Sequence, residues 1–158
     1  MKHLWRALLL VLVLGAFMPS RSAAQGISTQ TGGGQGAGLN LGQNYPNPVN
    51  QDTRIPFVIG DAQGCTDAGR QHRVNLRIYN LLAQQVAVPV LQGGVGNVAG
   101  GEPLESLLLT CGQYVAYWDG KYSQTGDEVA SGIYLYRLEV DGKPLVKKMI
   151  VKIGRAHV

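Results

Sequence analysis

Charged residues are scarce in this sequence, and beyond residue 24 apolar residues do not recur with the spacing of a helix. Only 15% of the 158 residues are Asp, Glu, Lys or Arg, well below the ~25% of an average soluble domain. Glycine is abundant instead, with 22 residues, about twice its usual share of ~7%. This composition excludes a charged helical bundle and favours a single glycine-rich β domain.

Positive charge is also lacking once the N-terminal segment is set aside. The formal net charge is +4, but Lys2, Arg6 and Arg21 lie in a segment that we expect to be removed. Removing these three from the 14 basic residues leaves 11, against 10 acidic ones. A nearly neutral chain with scattered cations has no electrostatic footprint for nucleic acid, so we expect no nucleic-acid partner.

The first 24 residues have the three parts of a secretory signal peptide. Lys2 and Arg6 precede an apolar run over Ala7–Met18, and small residues lead to a cleavage site after Ala24. The run is too short for the ~20 apolar residues of a membrane-spanning helix. We therefore predict a signal peptide over 1–24, an exported mature chain and no transmembrane segment after cleavage.

The sequence after residue 24 predicts a flexible leader followed by β-strands. Residues 25–38 carry too little apolar surface to fold, so we expect a Gly-rich disordered leader. From Leu39 onward apolar and polar residues alternate, which indicates half-buried strands. Seven strands are predicted, over Thr53–Ile59, Arg73–Asn80, Gln85–Leu91, Leu104–Thr110, Gln113–Trp118, Gly132–Val140 and Leu145–Ile153. This pattern predicts an all-β, immunoglobulin-like antiparallel sandwich over 39–153.

Prolines and turn residues add detail to this prediction. Pro56 and Pro89 lack an N–H group, so we expect their strands to lie at sheet edges or to carry bulges. In the third strand Val86, Val88 and Val90 are expected to share a face. Asp141-Gly142, between the last two strands, is a strong hairpin signal.

The sequence contains only two cysteines, Cys65 and Cys111. In an exported chain a single disulfide between them is the expected state, with two free thiols or a metal pair as the alternatives. Closing a loop of this length would stabilise the fold by about 4 kcal/mol in the chain-entropy model.

Residues suited to catalysis or metal binding are few. His72 is the one histidine between the signal peptide and the C-terminal tail, and its polar surroundings predict a solvated loop residue. Asp119, Asp127 and Glu128 share a turn region where a glycosidase pair or a calcium site could form. Their spacing matches no EF-hand loop, and Asp-Gly suits a tight turn. We predict no enzyme, no cofactor, no metal and no small-molecule substrate.

Several separated motifs follow one another in an order that resembles a known family. They are Leu41-Gly42-Gln43-Asn44-Tyr45-Pro46-Asn47-Pro48, Leu76-Arg77-Ile78-Tyr79-Asn80, Trp118-Asp119-Gly120, Ala130-Ser131-Gly132-Ile133-Tyr134-Leu135-Tyr136-Arg137-Leu138 and Lys147-Lys148-Met149-Ile150-Val151. Together they resemble the type A C-terminal sorting domain of the type IX secretion system, whose motifs overlap with those of the Ig-like domain of the flagellar hook-capping protein. The resemblance covers residues 39–152.

This resemblance implies a protein partner rather than a small ligand. It implies recognition by outer-membrane secretion machinery, and we expect the last hairpin, Ile133–Lys152, to be recognised with Lys147 and Lys148 as exposed contacts. The chain would then reach the periplasm, the outer-membrane surface or the medium. The alternative is a structural or adhesive Ig-like module of the cell envelope that binds another protein through its edges or loops.

The chain also departs from the family pattern. Val49 and Gln51 stand where Phe and Pro are common, and Ala83 stands where Gly is usual. The stretches 60–72 and 92–111 are longer than is typical, and each contains one cysteine. We therefore expect the disulfide to join two enlarged loops at one end of the sandwich.

The motif residues also have a structural interpretation. We expect Tyr45 to pack as an anchor, Trp118 to be a large core residue, and Gly132 to permit a tight approach into its strand. The resemblance implies that the remaining positions also belong to the sorting-type motif, and these are Asn44, Pro46, Asn47, Pro48, Asp119, Gly120, Ser131, Tyr134 and Met149.

The final residues look foreign to the fold. Ile153-Gly154-Arg155-Ala156-His157-Val158 matches the translation of a common sequencing adapter, ATC GGA AGA GCA CAC GTC. We therefore exclude 154–158 from the predicted domain, as an artefact of assembly.

Overall fold

The computed structural model describes residues 38–60, 65–93 and 100–154. These ranges contain nine β-strands and no helix, so the predicted all-β class is confirmed. The strands are β1 (Asn40–Leu41), β2 (Thr53–Ile59), β3 (Gln71–Tyr79), β4 (Gln85–Ala87), β5 (Val90–Leu91), β6 (Leu107–Thr110), β7 (Gly112–Trp118), β8 (Gly132–Val140) and β9 (Lys143–Val151).

Three of the sequence predictions concern segments outside these ranges. They are the signal peptide (1–24), nearly all of the leader (25–38) and residues 155–158 of the tail. Within the described ranges, no helix has the length and apolar character needed to cross a membrane.

The described strands form two antiparallel sheets. One has the order β1-β2-β7-β5, and the other has the order β4-β3-β8-β9 with β6 also paired to β3. With β1, β2 and β3 as strands A, B and C, this order corresponds to the ABED and C′CFG sheets of immunoglobulin-type sandwiches. The core lies between the sheets, where alternate residues of each strand are buried, such as Ile55 of β2 and Leu76 of β3.

The third predicted strand is divided, and the prediction of one continuous strand there is wrong. Its first part, β4, pairs with β3, whereas its second part, β5, pairs with β7 of the other sheet. Because the chain changes sheets at Pro89, the side that faces the core changes as well. Ala87, Pro89 and Leu91 are buried, while Val88 and Val90 are half-buried, so the expected shared face of three valines does not form.

The expectation for Pro56 is also wrong. Strand β2 has neighbours on both sides and pairs with β7 in an unbroken register. The ring nitrogen of Pro56 causes no loss there because Gly42, just beyond the end of β1, donates its N–H to the Pro56 carbonyl at 2.8 Å. On the side of β2 that faces Gly42, residue 56 has only to accept a hydrogen bond, and proline can do this through its carbonyl.

The registers define two ends of the sandwich. At one end, Thr53 pairs with Trp118 and Gly132 pairs with Val151; we call this the motif end, because most residues of the resemblance lie there. The opposite end, which we call the loop end, holds the described residues 65–70 of the β2–β3 connection, Cys111 and the Asp141-Gly142 turn. This turn joins β8 to β9 with φ of +50° and +82°, as in a type I′ hairpin, so the predicted hairpin is confirmed.

Candidate functional site

The opening motif is bound into the fold through Asn44, which is 2% exposed. Its Nδ2 donates to the Pro46 carbonyl and to Thr53 Oγ1, both at 3.1 Å. Its backbone N–H donates to the Tyr136 hydroxyl at 3.1 Å, and that hydroxyl donates to the Gly42 carbonyl at 2.8 Å. Burial raises the pKa of Tyr136 to about 12. Asn44 therefore has a structural role.

The next residues of the motif cover part of the free edge of β9. Asn47 Oδ1 accepts a hydrogen bond from the Ile150 N–H at 3.0 Å. The Val49 N–H donates to the Ile150 carbonyl, and the Lys152 N–H donates to the Val49 carbonyl, both at 2.8 Å. An uncovered edge strand is a template for pairing with another chain. The segment Asn44–Val49 thus closes the sheet at the motif end.

Tyr45 does not pack as an anchor, and that expectation is wrong. The side chain is 49% exposed, because the backbone of Tyr45 pairs with Arg54 and the inward position next to it is taken by Asn44. Pro46, Asn47 and Pro48 are exposed as well.

Trp118 is a core residue, as expected, with 2% exposure. Its Nε1 donates to the Lys121 carbonyl at 2.9 Å, and its ring lies 6.2 Å from that of Tyr134. The Tyr134 hydroxyl donates to the Ala130 carbonyl at 2.7 Å. This bond, at the start of the strand equivalent to F, is a tyrosine corner, a hallmark of immunoglobulin-type sandwiches.

The two motif glycines, Gly120 and Gly132, differ in whether a side chain could replace their hydrogen atom. Gly120 has φ of +72°, and a Cβ there would lie 2.4 Å from the Gln51 carbonyl oxygen, so only glycine fits. At Gly132 a Cβ would meet no described atom within 4 Å. The expectation of a tight approach at Gly132 is therefore wrong, while its neighbour Ser131 does have a contact, since its Oγ accepts from the Ile153 N–H at 3.1 Å.

Exposed apolar side chains occupy the outer face of the last hairpin. We call this surface the hairpin face, and it consists of Ile133, Leu135, Arg137, Val146, Lys148 and Ile150. Cross-strand pairing puts Ile133 beside Ile150, and Leu135 beside Lys148. Ile133, Val146 and Ile150 are 43%, 53% and 44% exposed. The face is thus an apolar surface that includes two cations, Lys148 and Arg137, of which Arg137 is paired with Glu139.

Lys147 and Lys148 project from opposite sides of β9. Lys147 pairs with Tyr136, whose side chain is buried, whereas Lys148 pairs with Leu135 on the outer side. Both lysines are exposed, but a flat partner surface could contact only one of them. Met149, between Lys148 and Ile150, is fully buried and belongs to the core.

The disulfide between Cys65 and Cys111 is present, as predicted, with the Cα atoms 6.0 Å apart. Its position differs from the expectation. The long connection that begins at residue 92 ends at β6, which pairs with β3. Cys111 follows β6 directly and is the single residue between β6 and β7. The disulfide therefore joins one enlarged loop to a strand junction, and the prediction of two enlarged loops is wrong.

His72 is not a loop residue, so that expectation is wrong. It lies in β3, and its Nδ1 is 2.7 Å from Asp141 Oδ2. The Arg73 N–H donates to the other oxygen of this carboxylate at 2.9 Å. Since the hydrogen bond from His72 favours the charged form, the pKa of Asp141 is lowered.

In the turn region, Asp119 makes a local contact through its carboxylate and Glu128 makes one through its backbone. Asp119 Oδ1 accepts from the Lys121 N–H at 3.1 Å, and the backbone of Glu128 forms a bridge with that of Lys121. In the part of the chain that the structure describes, no three His, Cys, Asp or Glu residues come together as metal ligands.

No protein-family model matches the chain, and no curated protein matches it. Among solved structures, the chain is similar to the crystal structure of dimeric latent PorU from Porphyromonas gingivalis, with 21% identity and a TM-score of 0.47. The match covers 74% of this chain and 9% of that chain, so this chain spans less than a tenth of the protein it matches.

Proposed function

We propose that this chain is an exported, non-enzymatic module that type IX secretion machinery recognises through the hairpin face. The observation that carries the proposal is the cluster of three exposed aliphatic side chains, Ile133, Val146 and Ile150, around Lys148. Contiguous exposed apolar surface on a soluble domain often marks an interaction site.

Charge narrows the class of partner. Arg137 is paired with Glu139 at 2.9 Å, whereas Lys148 is in no ion pair among the described residues. In a second copy packed face to face, the neighbouring carboxylate of Glu139 is already paired with Arg137, so a desolvated Lys148 would have no free carboxylate opposite it, which is unfavourable. The face therefore suits a different protein, one that offers an apolar surface with a carboxylate opposite Lys148.

Other motif residues hold the two strands of the hairpin in place through contacts away from the hairpin face. Asn47 and Val49 hold β9 by its edge, and Tyr134 and Trp118 fix the start of β8. In this proposal the motifs divide into residues that build the hairpin and residues that contact the machinery.

Export is supported by two observations from different parts of the chain. Residues 1–24 have the signal-peptide pattern, and Cys65 and Cys111 form a disulfide, a bond that persists in oxidising compartments.

The test is a secretion assay with the full chain. A fluorescent protein is inserted after Ala24 and expressed in a bacterium that has type IX secretion. We expect fluorescence in the medium or on the cell surface, and retention in the periplasm for Lys148→Ala with Ile150→Ser. Lys147→Ala is the matched control, since it removes the neighbouring charge from the opposite side, and it should be exported normally.

Equal periplasmic retention of all three forms would reject the proposal. If the proteins instead remain at the envelope and a pull-down with the mature chain captures a stable partner outside the secretion machinery, the alternative adhesive role is favoured. Equal melting temperatures of the purified variants would exclude misfolding as the cause of retention.

A further inference from the structure

The loop end of the sandwich has the position of a binding site. Its β2–β3 and β8–β9 connections correspond to the B–C and F–G loops, which contribute to the antigen site of immunoglobulin variable domains. Binding residues are disproportionately carried by loops on a rigid scaffold.

Side-chain bonds hold these connections together. The disulfide joins Cys65 of the β2–β3 loop to Cys111 at the start of β7. His72, at the start of β3, binds Asp141 of the β8–β9 turn at 2.7 Å. Groups that are already held in place by such bonds lose less conformational entropy when a ligand binds.

A cavity of about 370 Å³ lies between these connections, within the size range of small-ligand sites. Its floor contains the buried apolar residues Leu39, Ile59 and Val140 together with the disulfide. Its rim is polar and consists of Thr66, Asp67, Arg70, His72, Asp141 and Lys143. The cavity thus combines an apolar floor with a charged mouth.

The carboxylates and the cations at the mouth, Asp67 and Asp141 against Arg70 and Lys143, are equal in number but differ in their partners. Both oxygens of Asp141 already accept hydrogen bonds from His72 and Arg73, and Asp67 accepts one from the Gly69 N–H at 3.0 Å. Arg70 and Lys143 are in no ion pair within the described residues. The carboxylates are thus hydrogen-bonded within the protein. Arg70 acts on the charge of Asp141 only through space, so its guanidinium and the Lys143 ammonium are available to a ligand.

We infer that this cavity binds a carboxylate carried on a short apolar body, such as the C-terminus of a peptide or a fatty acid. The carboxylate lies between Arg70 and Lys143 and accepts charge-assisted hydrogen bonds from them, which are stronger than bonds between neutral groups. The apolar body lies on the floor of the cavity. This site is separate from the hairpin face and does not depend on the proposed function.

The test uses the oxidised mature chain labelled with ¹⁵N. It is titrated with octanoate and octanamide, and separately with the tripeptide Ala-Leu-Val as the free acid and as the C-terminal amide. We expect the acids to shift the backbone amide signals of Arg70, His72 and Lys143, and the uncharged amides to bind at least tenfold more weakly. The acid that binds more tightly, octanoate or the tripeptide, identifies whether the natural ligand is a fatty acid or a peptide C-terminus.

Variants check that the cations are responsible. Arg70→Gln with Lys143→Gln should weaken binding of the acids at least tenfold, while Lys121→Gln, which removes a cation at the motif end, should leave the affinity unchanged. Unaltered signals from β2 and β7 would show that the double variant is folded. Binding of octanamide as tight as that of octanoate, unchanged affinity in the double variant, or no shifts with either acid would overturn the inference.

Discussion

The motif end and the loop end of this sandwich are held together by different chemistry. At the motif end, Asn44, Asn47, Trp118 and Tyr134 donate or accept single hydrogen bonds with backbone groups. At the loop end, a disulfide and the His72–Asp141 pair join the connections. The motifs of the resemblance therefore lie around the last hairpin, while the disulfide and the His72–Asp141 pair lie at the other end, around a cavity.

The largest expected effect of a substitution is at the loop end. Replacing both cysteines, Cys65→Ser with Cys111→Ser, should lower the free energy of unfolding by about 4 kcal/mol, because a cross-link over 46 residues restricts the unfolded chain. Urea unfolding of the oxidised protein and of the variant measures this difference. Equal midpoints would show that the loop end does not depend on its covalent bond.

A buried hydroxyl provides the corresponding test at the motif end. Tyr136→Phe leaves the Asn44 N–H and the Gly42 carbonyl without their partner, which should cost about 2 kcal/mol at neutral pH. Chemical unfolding at pH 7 gives the value. A loss below about 0.5 kcal/mol would mean that water or backbone adjustment replaces the hydroxyl.

The same tyrosine predicts sensitivity to alkali. Its pKa is raised to about 12 in the folded protein, against ~10 in an unfolded chain. The unfolded state therefore loses its proton first as the pH rises, so stability is retained below pH 10 and falls between pH 10 and 12. Unfolding curves across this range should show a shallower decline for Tyr136→Phe, and parallel declines would contradict the assignment.

Patterns over a few neighbouring residues predicted the strands and the turn that depend on those residues alone. The alternation in β2 and β8 placed both strands with the bounds that are observed, and Asp141-Gly142 marked its turn. Alternation carries no information about which sheet a strand joins, so the change of sheets at Pro89 was missed. The partner of His72 lies 69 positions away, and no spacing rule connects residues that far apart.

A smaller effect is expected at the motif end, in the turn between β3 and β4. Ala83 has φ of +59°, a left-handed conformation that costs an L-residue roughly 1–2 kcal/mol and glycine almost nothing. Ala83→Gly should therefore raise the free energy of unfolding by about 0.5–1 kcal/mol, after the greater entropy of glycine in the unfolded chain is counted. Thermal unfolding checks the sign, and a lower melting temperature would refute the strain.

The smallest effect is expected for the exposed ion pair of the loop end. Asp141→Asn keeps a residue that suits the turn but removes the charge beside His72, so the loss at pH 7 should be below about 1 kcal/mol. Because the pKa of Asp141 is lowered by folding, its contribution is complete above pH ~4 and disappears as the carboxylate is protonated below that. Melting temperatures of the two proteins should differ at pH 7, and the difference should shrink as the pH falls below about 4 and through the lowered pKa of Asp141.

The bridge between Val49 and Val151 also determines how the domain would respond to mechanical force. The two segments run parallel, so tension that pulls the segment Asn44–Val49 away from β9 acts along both segments in opposite directions. The hydrogen bonds of Val49 with Ile150 and Lys152 are then loaded together in shear, rather than opened one after another. A domain tied in this way would resist extension between its ends more strongly than its equilibrium stability suggests.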